Sequence, residues 1–453
     1  MKTARVIKTG DHKKRLIGYR LIVYSLFLAL LSPGALIGAN IPSIEEVTAG
    51  KASLPTIEDL TGGKVKNTDL IDKNNVELVK EYLTAAMYEN VKRGMVLKIG
   101  TQLPADQTYP KPFKEATERN RGKAVMDKNG VIYYEKIGTL WPGGIPFPNA
   151  KNGLEAIGNY HFGRAWDSYR TAPIEAWYVN YKGEIYKTIG QEHRYVKCSA
   201  RTILPPLGTI PGYEDIYLKR FSVTTAPREI AGLGQFSVRY YDYAKTYDTG
   251  FAYLPAFKRT IRVSATTWQD NIAGTDIIYG DGDGFQEPYQ DWDMKLLGKK
   301  YLLVSEPKAA IPLLDETTGH INKNLPFDVG KKYPRLGWVI RPVNVVEAIP
   351  RFKHVYGKRV VYLPIWPYIY SGAGIAATDV YDRQMKLWKG VLLIFGRQVF
   401  LKGDPQMPQT PWVCFWVGDL QTNHTSQYWA RNELNTPIGP EEVNLGTLLK
   451  MGR

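Results

Sequence analysis

The chain has 453 residues, 44% of them hydrophobic and 23% charged, which is enough apolar material for one large core or two smaller ones. Its formal charge is +15, but the bases are densest at the N-terminus and no Lys/Arg run follows, which argues against nucleic acid as a partner. Two cysteines, Cys198 and Cys414, are too few for a zinc site and leave one disulfide or two buried thiols as the alternatives.

Residues 1–39 have the order of a secretory signal peptide. Lys2, Arg5, Lys8, Lys13, Lys14, Arg15 and Arg20 precede a predominantly apolar run at 21–31, and the small pair Gly38-Ala39 follows. The run is shorter than the roughly 20 residues that span a bilayer, so cleavage after Ala39 is expected in place of an uncleaved anchor. No cysteine stands near that site to accept a lipid anchor. Removing seven bases and one acid leaves 52 Lys+Arg against 43 Asp+Glu, a mature charge of +9. A modest basic excess suits an anionic partner such as a membrane surface.

Residues 40–165 read as helical and irregular. Asn74 is placed to cap a helix through Val76, Val79, Leu83 and Met87, and a second helix is expected after Pro112, over 113–119. The run Trp141-Pro142-Gly143-Gly144-Ile145-Pro146-Phe147-Pro148 excludes regular structure, and Asn152-Gly153-Leu154-Glu155-Ala156 starts another helix. From 166 to 453 the pattern changes to strands: 174–180, 184–189, 217–224, 235–243, 249–254, 257–263, 294–304, 337–348, 358–363, 376–381, 387–395, 413–417 and 426–430. Short polar turns between them imply a large antiparallel sheet, not βαβ units. Val391-Leu392-Leu393-Ile394-Phe395 is apolar throughout, the mark of a strand covered on both faces. A short helix over 440–449 closes the chain, and residues 40–453 are read as one β-rich α+β domain.

Catalytic motifs are missing: there is no Gly-x-Ser-x-Gly elbow, phosphate-binding Gly-rich loop or His-Glu-x-x-His helix, and the six histidines are scattered. No cofactor or metal is expected. Asp281 and Asp283 alternate with Gly282 and Gly284 as in calcium loops, and Glu287, Asp291 and Asp293 follow, but Phe285 and Trp292 occupy ligand positions of the EF-hand pattern. A polar turn is the preferred reading. The basic-aromatic segment 251–262 is more unusual. Read as one strand from Phe257, it puts Lys258 and Arg262 on one face and Phe257, Arg259 and Ile261 on the other, a mouth suited to an amphiphile with an anionic head. An ordinary solvent-facing strand with structural ion pairs is the alternative.

Several stretches in order carry a family resemblance: Gly144-Ile145-Pro146-Phe147-Pro148 with Asn152-Gly153-Leu154-Glu155-Ala156, Tyr253-Leu254-Pro255 through Lys258-Arg259 and Arg262, and Asp291-Trp292-Asp293-Met294-Lys295-Leu296-Leu297-Gly298-Lys299-Lys300. Val345-Val346-Glu347-Ala348, Lys358-Arg359-Val360-Val361-Tyr362 and Tyr381-Asp382 to Leu387-Trp388 complete them. Together they resemble the exported bacterial domain-of-unknown-function family thirteen twenty-nine, similar to outer-membrane lipoprotein-sorting proteins. The resemblance implies a fold like the carriers LolA and LolB, a strongly curved antiparallel sheet forming an incomplete barrel covered by helices. It also implies a periplasmic, non-enzymatic carrier or accessory protein for a lipid-like ligand. An inner-membrane transporter of the resistance-nodulation-division type and an outer-membrane β-barrel are the partners it suggests. A structural or assembly partner without a small ligand is the alternative. Phe251, Tyr253, Trp338, Tyr362, Trp388 and Trp416 are the aromatics expected to line such a cavity, with Lys258, Arg259 and Arg262 near a headgroup. The chain departs from the family at Pro255-Ala256, where Pro-Gly is usual, and in the Asp/Gly-rich loop at 280–284.

Overall fold

A computed structural model describes residues 41–263, 268–308, 312–372 and 374–452. The expected signal peptide, residues 1–39, lies outside the described residues. The N-terminal part begins with two one-turn helices, α1 (Ile44–Thr48) and α2 (Ile57–Leu60). Each is held by a reciprocal capping box, Ser43 with Glu46 and Thr56 with Asp59, which satisfies backbone donors that so short a helix leaves open. Two short strands follow, β1 (Leu70–Ile71) and β2 (Leu97–Ile99).

Between them, the single helix expected from Asn74 to Met87 is two pieces. A 3-10 run over Val76–Tyr82 ends at an extended Leu83, and α3 (Ala85–Lys92) starts afresh. Thr84 caps α3 by accepting from the Met87 N–H at 3.1 Å. The carboxylate of Asp379 accepts from the Ala85 and Ala86 N–H groups at 2.8 and 3.1 Å. A buried anion at the positive end of α3 pins it to the sheet, and that long-range contact places the break.

The helix after Pro110 is α4 (Lys111–Arg119), with Pro112 in its first turn where no N–H is needed. A small hairpin, β3 (Ala124–Met126) and β4 (Ile132–Tyr134), precedes the irregular Pro/Gly run. Asn152 then caps α5 (Gly153–Phe162), accepting from the Glu155 N–H at 2.9 Å. Gly153 is required there because a Cβ would lie 2.6 Å from the Met294 carbonyl, so the helix start sits directly on a strand backbone.

The strands follow as a meander: β5 (Ser168–Val179), β6 (Ile185–Lys197), β7 (Ile216–Ala226), β8 (Gly234–Tyr240), β9 (Thr249–Leu254) and β10 (Arg259–Val263). Past a loop of short 3-10 turns come β11 (Trp292–Ser305), β12 (Phe327–Asp328), β13 (Tyr333–Pro334), β14 (Leu336–Pro350), β15 (Lys358–Pro364) and β16 (Ala377–Tyr381). The last are β17 (Leu387–Phe395), β18 (Val399–Phe400), β19 (Pro408–Gln409), β20 (Trp412–Asp419), β21 (Thr425–Leu434) and helix α6 (Leu445–Met451).

Fifteen of these strands form one sheet in the order β1-β2-β14-β15-β16-β17-β20-β21-β5-β6-β7-β8-β9-β10, with β11 paired along β14. It is not closed into a barrel. The expectation of a purely antiparallel sheet needs one correction: β2 runs parallel to β14, pairing Leu97, Lys98 and Ile99 with Leu336, Gly337 and Trp338. β14 is 15 residues long and β15 only 7, so the N-terminal end of β14 has an edge left for β2. Elsewhere the pairs are antiparallel, and β17 is buried along the run from Lys389 to Phe395, as its apolar composition predicts.

Register assigns the side chains to faces. Tyr362, Ala377, Leu392 and Trp416 share one face, and Arg359, Val380, Lys389 and Asp419 share the other. On the Tyr362 face α3 comes so close that a Cβ at Gly390 would lie 2.6 Å from that of Ala86. Farther along the sheet, α6 buries Leu448 with Phe221, Val223, Phe236 and Tyr253 in a separate apolar cluster. Both cysteines are free and buried, and burial pushes the Cys198 thiol up to about 12. Among the described residues no helix is long and apolar enough to cross a membrane.

Candidate ligand-binding cleft

A cavity of about 190 Å³ opens where β2 meets β14. Its floor is apolar, made by Ile57 of α2, Ile99 of β2, Leu303 of β11, and Trp338 and Ile340 of β14. The parallel β2/β14 pairing builds it: the chain leaves β2 at Gly100, and Thr101 and Gln102 turn across to meet the start of α2. The rim is polar and mutually bonded. Asn67 Nδ2 donates to Thr101 Oγ1 at 2.9 Å, and Gln102 Nε2 donates to the Pro55 carbonyl at 3.0 Å. Trp338 is 1% exposed, and among the described residues its indole N–H has no acceptor.

Glu306 stands beside the cleft. Its carboxylate fills the space next to Gly100, where a Cβ would lie 2.1 Å from Oε2. Burial pushes its carboxyl up to about 7, against the opposing pull of Lys308, Arg341 and Lys98. A cavity of this size with an apolar floor holds a small ring or a short length of acyl chain; an engineered apolar cavity of about 150 Å³ takes up benzene.

The other expected ligand residues are spread over the fold and do not meet at this cleft. Tyr253 and Phe251 pack in or against the α6 cluster. The Tyr362 hydroxyl donates to Asp379 Oδ2 at 3.1 Å, and the Trp416 indole donates to the Lys332 carbonyl at 3.0 Å. Trp388 is half-buried, bonded to Asp419 Oδ2 at 2.8 Å with the Lys389 ammonium 4.4 Å from its ring centre. Lys258, Arg259 and Arg262 are exposed on the β9–β10 hairpin. The expected opposition of Arg262 to Arg259 and Ile261 holds, but Lys258 and Phe257 leave the strand. Pro255–Phe257 form a 3-10 turn, Lys258 lies in the left-handed region at φ 51°, and the strand begins only at Arg259. Arg259 and Ile261 therefore share one face of β10, and Arg262 points to the other.

One cluster escaped the sequence reading. The loop between β10 and β11 is held to the rest of the fold by four arginines from separate parts of the chain. Arg359 of β15 donates to Asp281 at 3.2 Å and to Glu287 at 2.7 Å, and all three side chains are buried. Arg164, just after α5, pairs with Asp283 at 3.2 Å. Arg220 of β7 and Arg239 of β8 both donate to Gln286, at 2.8 and 2.6 Å. The Asp/Gly loop thus spends its carboxylates on guanidinium groups. The expected polar turn is corrected here: Asp281 and Glu287 are buried on arginines that only folding brings to them. Nearby, a cavity of about 20 Å³ between α5 and β14–β15, lined by Tyr160, Asn344 and Tyr370, has room for about one water.

An open, mostly antiparallel sheet covered by short helices and loops, with one apolar-floored cleft at its β2 end, defines the class: a β-rich α+β protein. The family model described as "Protein of unknown function (DUF1329)" matches residues 70–442, and the chain belongs to that family. No curated protein matches it. Among solved structures it is similar to a domain described as an outer membrane lipoprotein-sorting protein from Vibrio parahaemolyticus, at 17% identity and TM-score 0.43, over 66% of this chain and 98% of that one. It is similar to a DUF1329 family protein from Desulfovibrio piger at 12% identity and TM-score 0.41, over 62% of this chain and 92% of that one. A LolA superfamily protein from Nitrosomonas europaea shows 10% identity and TM-score 0.37, over 66% of this chain and 100% of that one.

Proposed function

We propose that this protein is a periplasmic, non-enzymatic carrier or accessory protein that holds part of a hydrophobic, lipid-like ligand in the cleft at Trp338. The observation that carries the reading is the 190 Å³ cavity itself, apolar below and polar at the rim. Burying about six methylenes there is worth roughly 5 kcal/mol at 0.8 kcal/mol each, a useful affinity without any chemistry. The leader at residues 1–39 supports export to the periplasm. A structural role towards a resistance-nodulation-division transporter or an outer-membrane β-barrel would use the outer surface in place of this cleft.

Native mass spectrometry of protein recovered from the periplasm, followed by organic extraction, tests the reading. A stoichiometric lipid is expected, and it is lost in Thr101→Trp, which fills the cleft from its exposed rim. A clean apo mass, with added phospholipid and fatty acid both failing to bind, overturns it. Co-purification of an envelope protein without lipid moves the assignment to an assembly partner.

A further inference from the structure

The β9–β10 hairpin belongs to neither cavity, and its composition sets it apart. Every residue from 256 to 262 is exposed, on both faces of β10, so the tip stands clear of the sheet it ends. Phe257 at the turn is 68% exposed and Ile261 on the strand is 42% exposed. Lys258, Arg259 and Arg262 surround them, and among the described residues no carboxylate pairs with any of the three. No acid occurs anywhere between Asp248 and Asp270. The Arg259 guanidinium lies 5.7 Å from the Phe257 ring centre, which keeps charge and ring at one place. The base, by contrast, is fixed: Tyr253 is buried against α6, and Phe251 packs beside it. A clamped base and a bare, cationic, aromatic tip suit contact with a surface, not enclosure of a ligand.

We propose that this hairpin docks the protein on an anionic lipid bilayer, with Phe257 entering the interface and Lys258, Arg259 and Arg262 meeting lipid phosphates. Charge complementarity selects that partner: three unneutralised cations within five positions attract a continuous anionic surface, and an exposed aromatic flanked by cations is what an interfacial anchor requires. The proposal stands apart from the carrier reading, because no residue of the hairpin lines the cleft.

Co-sedimentation with vesicles tests it, using the product of the full-length chain recovered in its exported form, with all variants sharing one N-terminus. Vesicles of 30% phosphatidylglycerol in phosphatidylcholine are compared with pure phosphatidylcholine at low and high salt. Binding is expected only to the anionic vesicles and is expected to weaken with salt. Reversing Lys258, Arg259 and Arg262 to Glu lowers the partition by about a hundredfold or more, at roughly fivefold for each cation removed, and Phe257→Ser lowers it by about tenfold. Circular dichroism melts identical to wild type show that the exposed substitutions leave the fold intact.

Equal binding to both vesicle types overturns the proposal, as do unchanged binding by the charge-reversed variant and the absence of any binding. An acidic envelope protein captured through these residues with no affinity for vesicles also overturns it. Lipid extracted from the same preparations separates the two readings. Adhesion lost with bound lipid retained supports docking by the hairpin alone, and adhesion kept in a lipid-free protein supports docking while the carrier reading fails.

Discussion

Replacing Arg359 by Met is the sharpest test of how the β10–β11 loop is held. The guanidinium is fully buried. It donates to the Gly280 carbonyl at 3.1 Å and to Asp281 and Glu287, and lies 4.8, 5.1 and 5.0 Å from the rings of Phe285, Trp292 and Tyr356. Methionine fills most of that space but supplies no donor. Asp281 would keep the Tyr356 hydroxyl at 2.7 Å and the Ile278 N–H at 3.1 Å, whereas among the described residues Glu287 would keep only the His354 ring nitrogen, 3.2 Å away without a hydrogen bond. Two buried anions would then face one another with too few donors. Breaking a buried pair by removing one partner costs about 3–5 kcal/mol, and the expected loss at pH 7 lies in that range. The triple variant Arg359→Met, Asp281→Asn, Glu287→Gln removes the stranded charge and is expected to recover more than half of it, the non-additivity that marks coupled groups. Urea titration followed by tryptophan fluorescence reads both, with Trp292 as a reporter beside the cluster. A loss under about 1 kcal/mol, or a triple variant no more stable than the single one, would refute the argument that Arg359 holds the loop by charge.

Other substitutions probe other parts of the fold. Burial lifts the Glu306 carboxyl from its ordinary 4.5 to about 7, so the stability it contributes is complete below about pH 4.5 and is lost as pH rises through 7. Glu306→Gln should match wild type at pH 4 and exceed it by about 1–2 kcal/mol at pH 8, allowing for the water that still reaches the carboxylate; parallel melting curves at both pH values would sink the idea. Gly153→Ala forces a methyl against the Met294 backbone and should cost about 1–3 kcal/mol, measured by urea denaturation. Neither Cys198 nor Cys414 should react with a thiol reagent at pH 8 until denaturant is added, when both should; fast labelling of the folded protein would contradict their burial.

Local signals in the sequence were enough wherever neighbouring residues decide the structure. Asn152 before Glu155 marked the start of α5, Pro112 marked the first turn of α4, and the unbroken run from Val391 to Phe395 marked a strand covered on both faces. The failures sit where a distant residue decides. The break before α3 depends on Asp379, 294 positions from the Ala85 N–H it accepts. The parallel strand β2 is three residues long, too short for periodicity to show, and exists because β14 outruns β15. The turn at Lys258 overrode a strand pattern because Pro255 opens a 3-10 turn. At the cleft, Trp338 was recognisable as a large aromatic in a strand. Thr101, Gln102 and Asn67 come from short connections whose residue types carry no pattern, so their part in the rim emerges only from the way β2 docks.

The seam between β21 and β5 sets an order of assembly. The last strand of the chain sits between β20 and β5, and the Tyr178 and Tyr428 hydroxyls meet at 2.8 Å across 250 positions. A chain delivered N-terminus first can zip β5 to β10 by local hairpins, then β14 to β20 by the same means, yet the sheet itself is joined between the two halves only when β21 pairs with β5. Loop closure over so long a span is slow, so the joining step is expected to limit the folding rate. A nascent chain of this design holds two half-sheets with open flanks until residues 425–434 are released, which keeps its sheet unfinished, and the chain threadable, until synthesis or translocation is almost complete.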